Sequence, residues 1–149
     1  MKTKKLILLG AITMLLSTTS ISYAIVTPHP TVVVNQKSGK EIVVEGTNNK
    51  KTIKASANDV VKIAGADNKI TIEGTFLRLE VEGRGNVVNL VNTSKISVEG
   101  ADNRINAGNV DTVTVEGAQN HVHYKSTKNK SGKADTSIEG ADNMVMKIK

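Results

Sequence analysis

The chain has 149 residues, 20 basic and 14 acidic side chains, no cysteine, and only 2% aromatic residues. This composition excludes a disulfide scaffold, and it lacks the stacking platforms with which nucleic-acid readers hold bases. So few rings argue for a narrow interior of Val, Ile and Leu, without a broad globular core.

Residues 1–24 read as an export signal. Lys2, Lys4 and Lys5 precede the apolar run Leu6 to Leu16, and Ser22-Tyr23-Ala24 offers a small-residue cleavage site. The run falls short of the ~20 apolar residues that a membrane-spanning helix needs, which disfavours an uncleaved anchor. No cysteine follows it to carry a lipid. Cleavage after Ala24 removes three lysines and lowers the formal charge from +6 to +3. The expected location is the periplasm, the cell surface or the medium, with the chain soluble once the signal is gone.

Residues 25–41 form an extended N-terminal segment. Pro28 and Pro30 deny it a helix; Thr31 to Val34 reads as a short strand, and Gln36 to Lys40 as a turn. This segment is expected to lead into a strand that covers the first repeat.

Residues 42–149 are read as one repeat domain of six coils. The anchor glycines are Gly46, Gly65, Gly83, Gly100, Gly117 and Gly140, spaced by 19, 18, 17, 17 and 23 residues. Three residues after each stands an asparagine: Asn49, Asn68, Asn86, Asn103, Asn120 and Asn143. Aliphatic residues precede each glycine at two and four positions, as Ile96 and Val98 do before Gly100, with Thr136 the exception. Others follow at five and seven, as Ile70 and Ile72 do after Gly65. Period-two spacing on both sides of each turn gives two strands per repeat, each with one buried face.

The turn residues suit left-handed backbone, which Gly, Asn and Asp tolerate. Favoured hairpins place Asn-Gly or Asp-Gly at the tip, whereas here Gly comes first and Asn last. A short parallel β-solenoid of 17–19-residue coils fits better, with each asparagine stacked ~4.8 Å above the previous one in a ladder. An antiparallel meander or sandwich is the alternative, and a three-sided coil remains open because the second connection has room for a short strand. Phe76 is expected to plug the interior. The Lys125–Asp135 stretch is expected to be a flexible basic loop. Lys147 and Lys149 guard a bare final edge against edge-to-edge self-association.

The repeated Val-Glu-Gly-x-x-Asn pattern after an export signal resembles the bacterial secreted proteins of domain-of-unknown-function family 3060 (DUF3060), over residues 42–148. That resemblance implies repetition and export. It implies no activity and no catalytic residues.

The strongest candidate surface is the row before the glycines: Glu45, Ala64, Glu82, Glu99, Glu116 and Glu139. Stacked in parallel, Glu82, Glu99, Glu116 and Glu139 form a ladder of like charges that repel unless something offsets them. The plain reading is a solvated face with Arg84, Arg104 and lysines as counterions; the sharper one is a ligand or cation face. Asp67, Asp102 and Asp142 invite comparison with calcium-binding β-rolls, yet Gly85 and Gln119 interrupt their series, which speaks against calcium there. His121 and His123 share one strand face, but with no Cys or third His nearby they read as surface histidines and not as a zinc site. Thr52, Thr71 and Thr114 are too scattered to make a regular array. No nucleophile elbow, catalytic triad or phosphate loop is present, and no cofactor or metal is expected. The function expected is a non-catalytic structural or binding module whose ligand the residues do not name, an envelope polysaccharide or another protein being the candidates, with nucleic acid excluded. The alternative is a polysaccharide-acting enzyme on a β-helix face.

Overall fold

The structure is a computed structural model and describes residues 39–149. The signal, the Thr31–Val34 strand and most of the Gln36–Lys40 turn lie outside the described residues. Ten strands follow in chain order: β1 (Glu41–Thr47), β2 (Lys50–Lys54), β3 (Val60–Ala66), β4 (Lys69–Arg84), β5 (Val87–Ala101), β6 (Arg104–Asn109), β7 (Thr112–Ala118), β8 (His121–Ser126), β9 (Asp135–Ala141) and β10 (Met144–Lys147).

Every pairing between them is parallel. One face stacks β1, β3, the second half of β4, the second half of β5, β7 and β9. The other stacks β2, the first half of β4, the first half of β5, β6, β8 and β10. The antiparallel alternative is excluded, and the molecule is an all-β parallel solenoid. The six glycine turns bound about five complete turns, one fewer than the coils counted from the repeats, because the last coil is not followed by another.

The alternation read from sequence sets which side chains point inward. In β7, Val113 and Val115 are fully buried while Glu116 is exposed. In β8, Val122 and Tyr124 face in and His121 and His123 face out. Stacked in this way, Ile63, Val81, Val98 and Val115 make one continuous apolar column, and Ile70, Val88, Ile105 and Val122 make its counterpart. Each fully buried Val or Ile contributes about 1.5–3 kcal/mol of transfer free energy. The interior is so narrow that Phe76, 1% exposed, fills it where β4 bends toward its second half.

The uneven spacings have local causes. Between Ile72 and Thr75, β4 carries one more residue than β5 opposite, a bulge that accounts for a spacing of 18 and not 17. The six extra residues after β8 bulge out at the second connection. Despite them Gly117 still pairs with Gly140, so the columns keep register across the insertion. The insert was expected to be flexible; the structure pins it. Asp111 accepts from the Lys128 amide at 2.8 Å and from Thr127 Oγ1 at 3.2 Å, and the Asn129 side chain donates to the Asp111 carbonyl at 2.8 Å. Tyr124 Oη accepts from the Ala134 amide at 3.1 Å, and Lys147 Nζ donates to the Gly132 carbonyl at 2.9 Å. The insert thereby buries Ala134 against the core beside Tyr124, while Ile138 in the last coil stays 46% exposed.

Candidate functional site

The glycine turn is the most repeated feature, and its geometry explains both fixed residues. Gly100 sits at φ +123°, and a Cβ placed there would lie 1.9 Å from the Gly83 carbonyl oxygen of the coil before. The next coil repeats this, with 2.0 Å from Gly117 to the Gly100 oxygen. The backbone thus stacks glycine on glycine with no room for a side chain. Two residues on, the chain enters the left-handed region again, at φ 58° for Asp102 and 56° for Gln119. These two left-handed positions turn the chain around a corner without reversing it, and that corner replaces a hairpin.

The asparagine fills the corner from inside. Asn68, Asn86, Asn103 and Asn120 are all 0% exposed. Asn103 Oδ1 accepts from the Asn86 amide and from Asn86 Nδ2, both at 3.0 Å. Its own Nδ2 donates to the Gly83 carbonyl at 2.9 Å and to Asn120 Oδ1 at 2.9 Å. Two donors and two lone pairs are therefore all used, the full capacity of an asparagine side chain. The same set recurs one coil earlier around Asn86 and one coil later around Asn120. A buried amide is tolerated here because none of its polar atoms is left unpaired.

The left-handed position just before the asparagine reads Asp67, Gly85, Asp102, Gln119 and Asp142 from the second coil onward. No two aspartates adjoin in that column, which avoids stacked like charge. Gln119 is its one long side chain at φ 56°. Gln119→Asn is expected to stabilise the fold by up to about 1 kcal/mol, since Asn visits this region at lower cost. A rise of a few degrees in melting temperature would show it; a fall would mean that the Gln119 side chain has a bonding role of its own.

The glutamate row falls in one column as well. Glu82, Glu99, Glu116 and Glu139 are register partners on successive strands, all exposed, with Glu45 and Ala64 before them. Ser97, Thr114 and Ser137 form the adjacent column on the same face. Of the cations expected to neutralise the row, Arg84 ends β4 on the same face, two residues beyond Glu82. Arg104 begins β6, so it lies on the other face, stacked against His121. Among the described residues the ion pairs fall on the neighbouring column: Lys62 Nζ to Glu41 at 3.2 Å and to Glu80 at 3.6 Å, and Arg78 Nε to Glu80 at 2.9 Å. The hydrogen bond and charge of Glu41, with Glu80 behind, hold the Lys62 ammonium above its ordinary pKa. Among the described residues, no three side chains of the His, Cys, Asp and Glu types gather so that they could hold a metal ion. The row is thus a ladder of separate carboxylates on a flat face.

His121 and His123 project from β8 with ring centroids 6.4 Å apart in an edge-on arrangement. In β10, Met144 is the register partner of His121 and Met146 that of His123. The sequence reading missed this grouping because it sought ligands near the histidines along the chain. The signal was present: both pairs stand four and six residues after their anchor glycines, Gly117 and Gly140.

These features define the class: a parallel β-solenoid whose coils are locked by a buried asparagine ladder. Within that class, the family described as "Protein of unknown function (DUF3060)" matches the chain at residues 63–109 and again at 96–134. The resemblance read from the turns therefore holds over the central coils. No curated protein and no solved structure matches the chain.

Proposed function

We propose that this protein is a non-catalytic structural or binding module that works outside the cytoplasm, in the periplasm or at the cell surface. The observation that carries the reading is the use made of the repeated residues. Gly and Asn, the two fixed positions of the coil, are both consumed in stacking, through the glycine column and the saturated asparagine ladder. What remains on the outside is flat and regular, a carboxylate column beside a hydroxyl column, which suits an extended polymer better than a small substrate. Catalysis on such a polymer needs two acids converging on one bond, with the carboxyls about 5–9.5 Å apart. The row offers at most one glutamate per coil, with Ala64 interrupting it between Glu45 and Glu82, and nothing singles out one pair among Glu82, Glu99, Glu116 and Glu139.

Two measurements test this. The purified chain, incubated with envelope and plant polysaccharides, is expected to be retained on one of them and to release no reducing ends. Release of reducing ends would replace this reading with that of an enzyme. For location, the mature chain recovered from the cell envelope is expected to begin at Ile25. An intact Met1 terminus in the cytoplasmic fraction would overturn export.

A further inference from the structure

Among residues 39–149, the histidines are His121 and His123 and the methionines are Met144 and Met146. All four meet on one patch. The parallel pairing of β8 with β10 sets His121 against Met144 and His123 against Met146, with Val122 and Val145 between them turned inward. The side chains therefore stand at the corners of a rectangle on the outer face. Its short side is the ~4.8 Å between strands and its long side the ~6.6 Å between alternate residues of one strand. The imidazoles are half-buried, and Met144 and Met146 are 40% and 43% exposed.

The two methionines have no packing role that explains them. Methionine is ordinarily a filler of irregular core gaps, and here both thioethers lie outside a core that Val145 already lines. The corresponding positions of earlier coils carry Lys69 and Thr71, Val87 and Asn89, Arg104 and Asn106, none of them a soft ligand. Met and His enter this column together, in adjacent coils and at the same two offsets.

We propose that His121, His123, Met144 and Met146 form a copper site that takes Cu(I). Two imidazoles and two thioethers make a four-ligand set, and thioether sulfur is the ligand type that selects Cu(I) over Zn(II), Ca(II) or Mg(II). No carboxylate belongs to the set, so it carries no negative charge to draw a hard divalent ion. The sites span a rectangle small enough for four ligand atoms to converge above its centre, and the long methionine side chains, free at the surface, supply the adjustment. Asp102, Gln119 and Asp142 line the groove beside His121, where they can accept from the imidazole N–H that is turned away from the metal and so fix the ring. The insert beside the site anchors the end of β10 through the bond from Lys147 to Gly132, which holds Met146 in place.

The test is titration of the full chain with Cu(I) against a chromophoric Cu(I) chelator, with Zn(II) run in parallel. One Cu(I) per chain is expected, with Zn(II) unable to displace it. The double variant Met144→Leu, Met146→Leu keeps volume and register, so it is expected to melt like the parent. It should bind Cu(I) more weakly by a factor beyond the 10–100-fold that loss of an outer partner typically causes (about that range). His121→Ala with His123→Ala should abolish stoichiometric binding. X-ray absorption of the loaded chain should show both nitrogen and sulfur scatterers. Equal Cu(I) affinity in the double leucine variant, absence of sulfur scattering, or Zn(II) binding as tight as Cu(I) would each overturn the proposal.

Discussion

Replacing Asn103 by Ala is expected to be among the most damaging single changes in this chain, on the order of 3–6 kcal/mol. The change removes the acceptor shared by the Asn86 amide and Asn86 Nδ2 and the donor to the Gly83 carbonyl and Asn120 Oδ1. Both neighbouring asparagines are fully buried, so water does not reach the orphaned groups without opening the stack. Each buried group left unpaired costs about 1–3 kcal/mol. Asp102 is the control, because it is exposed and its left-handed φ asks only for a residue that accepts that conformation. Asp102→Gly should shift the midpoint of urea unfolding little. If the two substitutions cost the same, the ladder is not what holds the coils.

Asn103→Asp sharpens the test, since it changes no volume. One carboxylate oxygen would face the Gly83 carbonyl and Asn120 Oδ1, two acceptors, at the distance where the amide now donates. The ionised form is disfavoured both by burial and by these neighbours, so the carboxyl pKa of the variant should be raised in the folded state. A group whose folded pKa is raised is more often protonated in the native chain, so the variant loses stability as pH climbs above about 4 and on toward neutrality. The variant should therefore be less stable than Asn103→Ala at pH 7 and recover relative to it in mild acid. Unfolding midpoints measured across that range would check the sign.

The second large effect lies in the glycine column. Gly100→Ala places a methyl 1.9 Å from the Gly83 oxygen at φ +123°, so the coils must part or the corner must rotate. Backbone strain of about 1–3 kcal/mol and overpacking of about 1–3 kcal/mol act together. Gly46 separates the two. It has a comparable φ of +102°, but its nearest neighbour for an added Cβ is Asn49 Nδ2 at 3.6 Å, an ordinary contact. Gly46→Ala should therefore show the strain alone. A chemical-denaturation series in which both variants lose equal stability would remove steric stacking from the account and leave only conformation.

Much of this was legible in the sequence because parallel stacking ties each coil to the next by register. Once Gly100 and Asn103 recur at constant offset, the inward positions of Val98, Ile105 and Ala107 follow, and so does the alignment of the glutamates. Two kinds of information were not available from pattern alone. The first is which face a residue occupies beyond the corner. Arg104 follows the turn directly and so belongs to the second face, away from the glutamates it was expected to neutralise. The second is adjacency across an irregular gap. Met144 is 23 residues from His121 in a chain whose regular repeat is 17; counting from Gly117 and Gly140 aligns the two, but that the insert leaves their strands paired is seen only in the structure. The insert's own order was hidden as well. Its lysines and serines read as a solvated loop, and the partners that hold it, Asp111 and Tyr124, come from elsewhere in the fold.

The outward course of that insert also bears on how such a chain can change over time. Six added residues left both the glycine column and the asparagine ladder untouched, since they entered at the corner that carries neither. One corner of every coil is thus closed to length variation and the other is open to it. Gain or loss of a whole 17-residue coil is equally silent, because each coil presents the same upper and lower surface to its neighbours. Duplication of a short DNA segment would lengthen the rod by one step and lengthen the glutamate face with it. A lineage can therefore adjust the span of this protein in units of one coil, while loops at the open corner diversify independently.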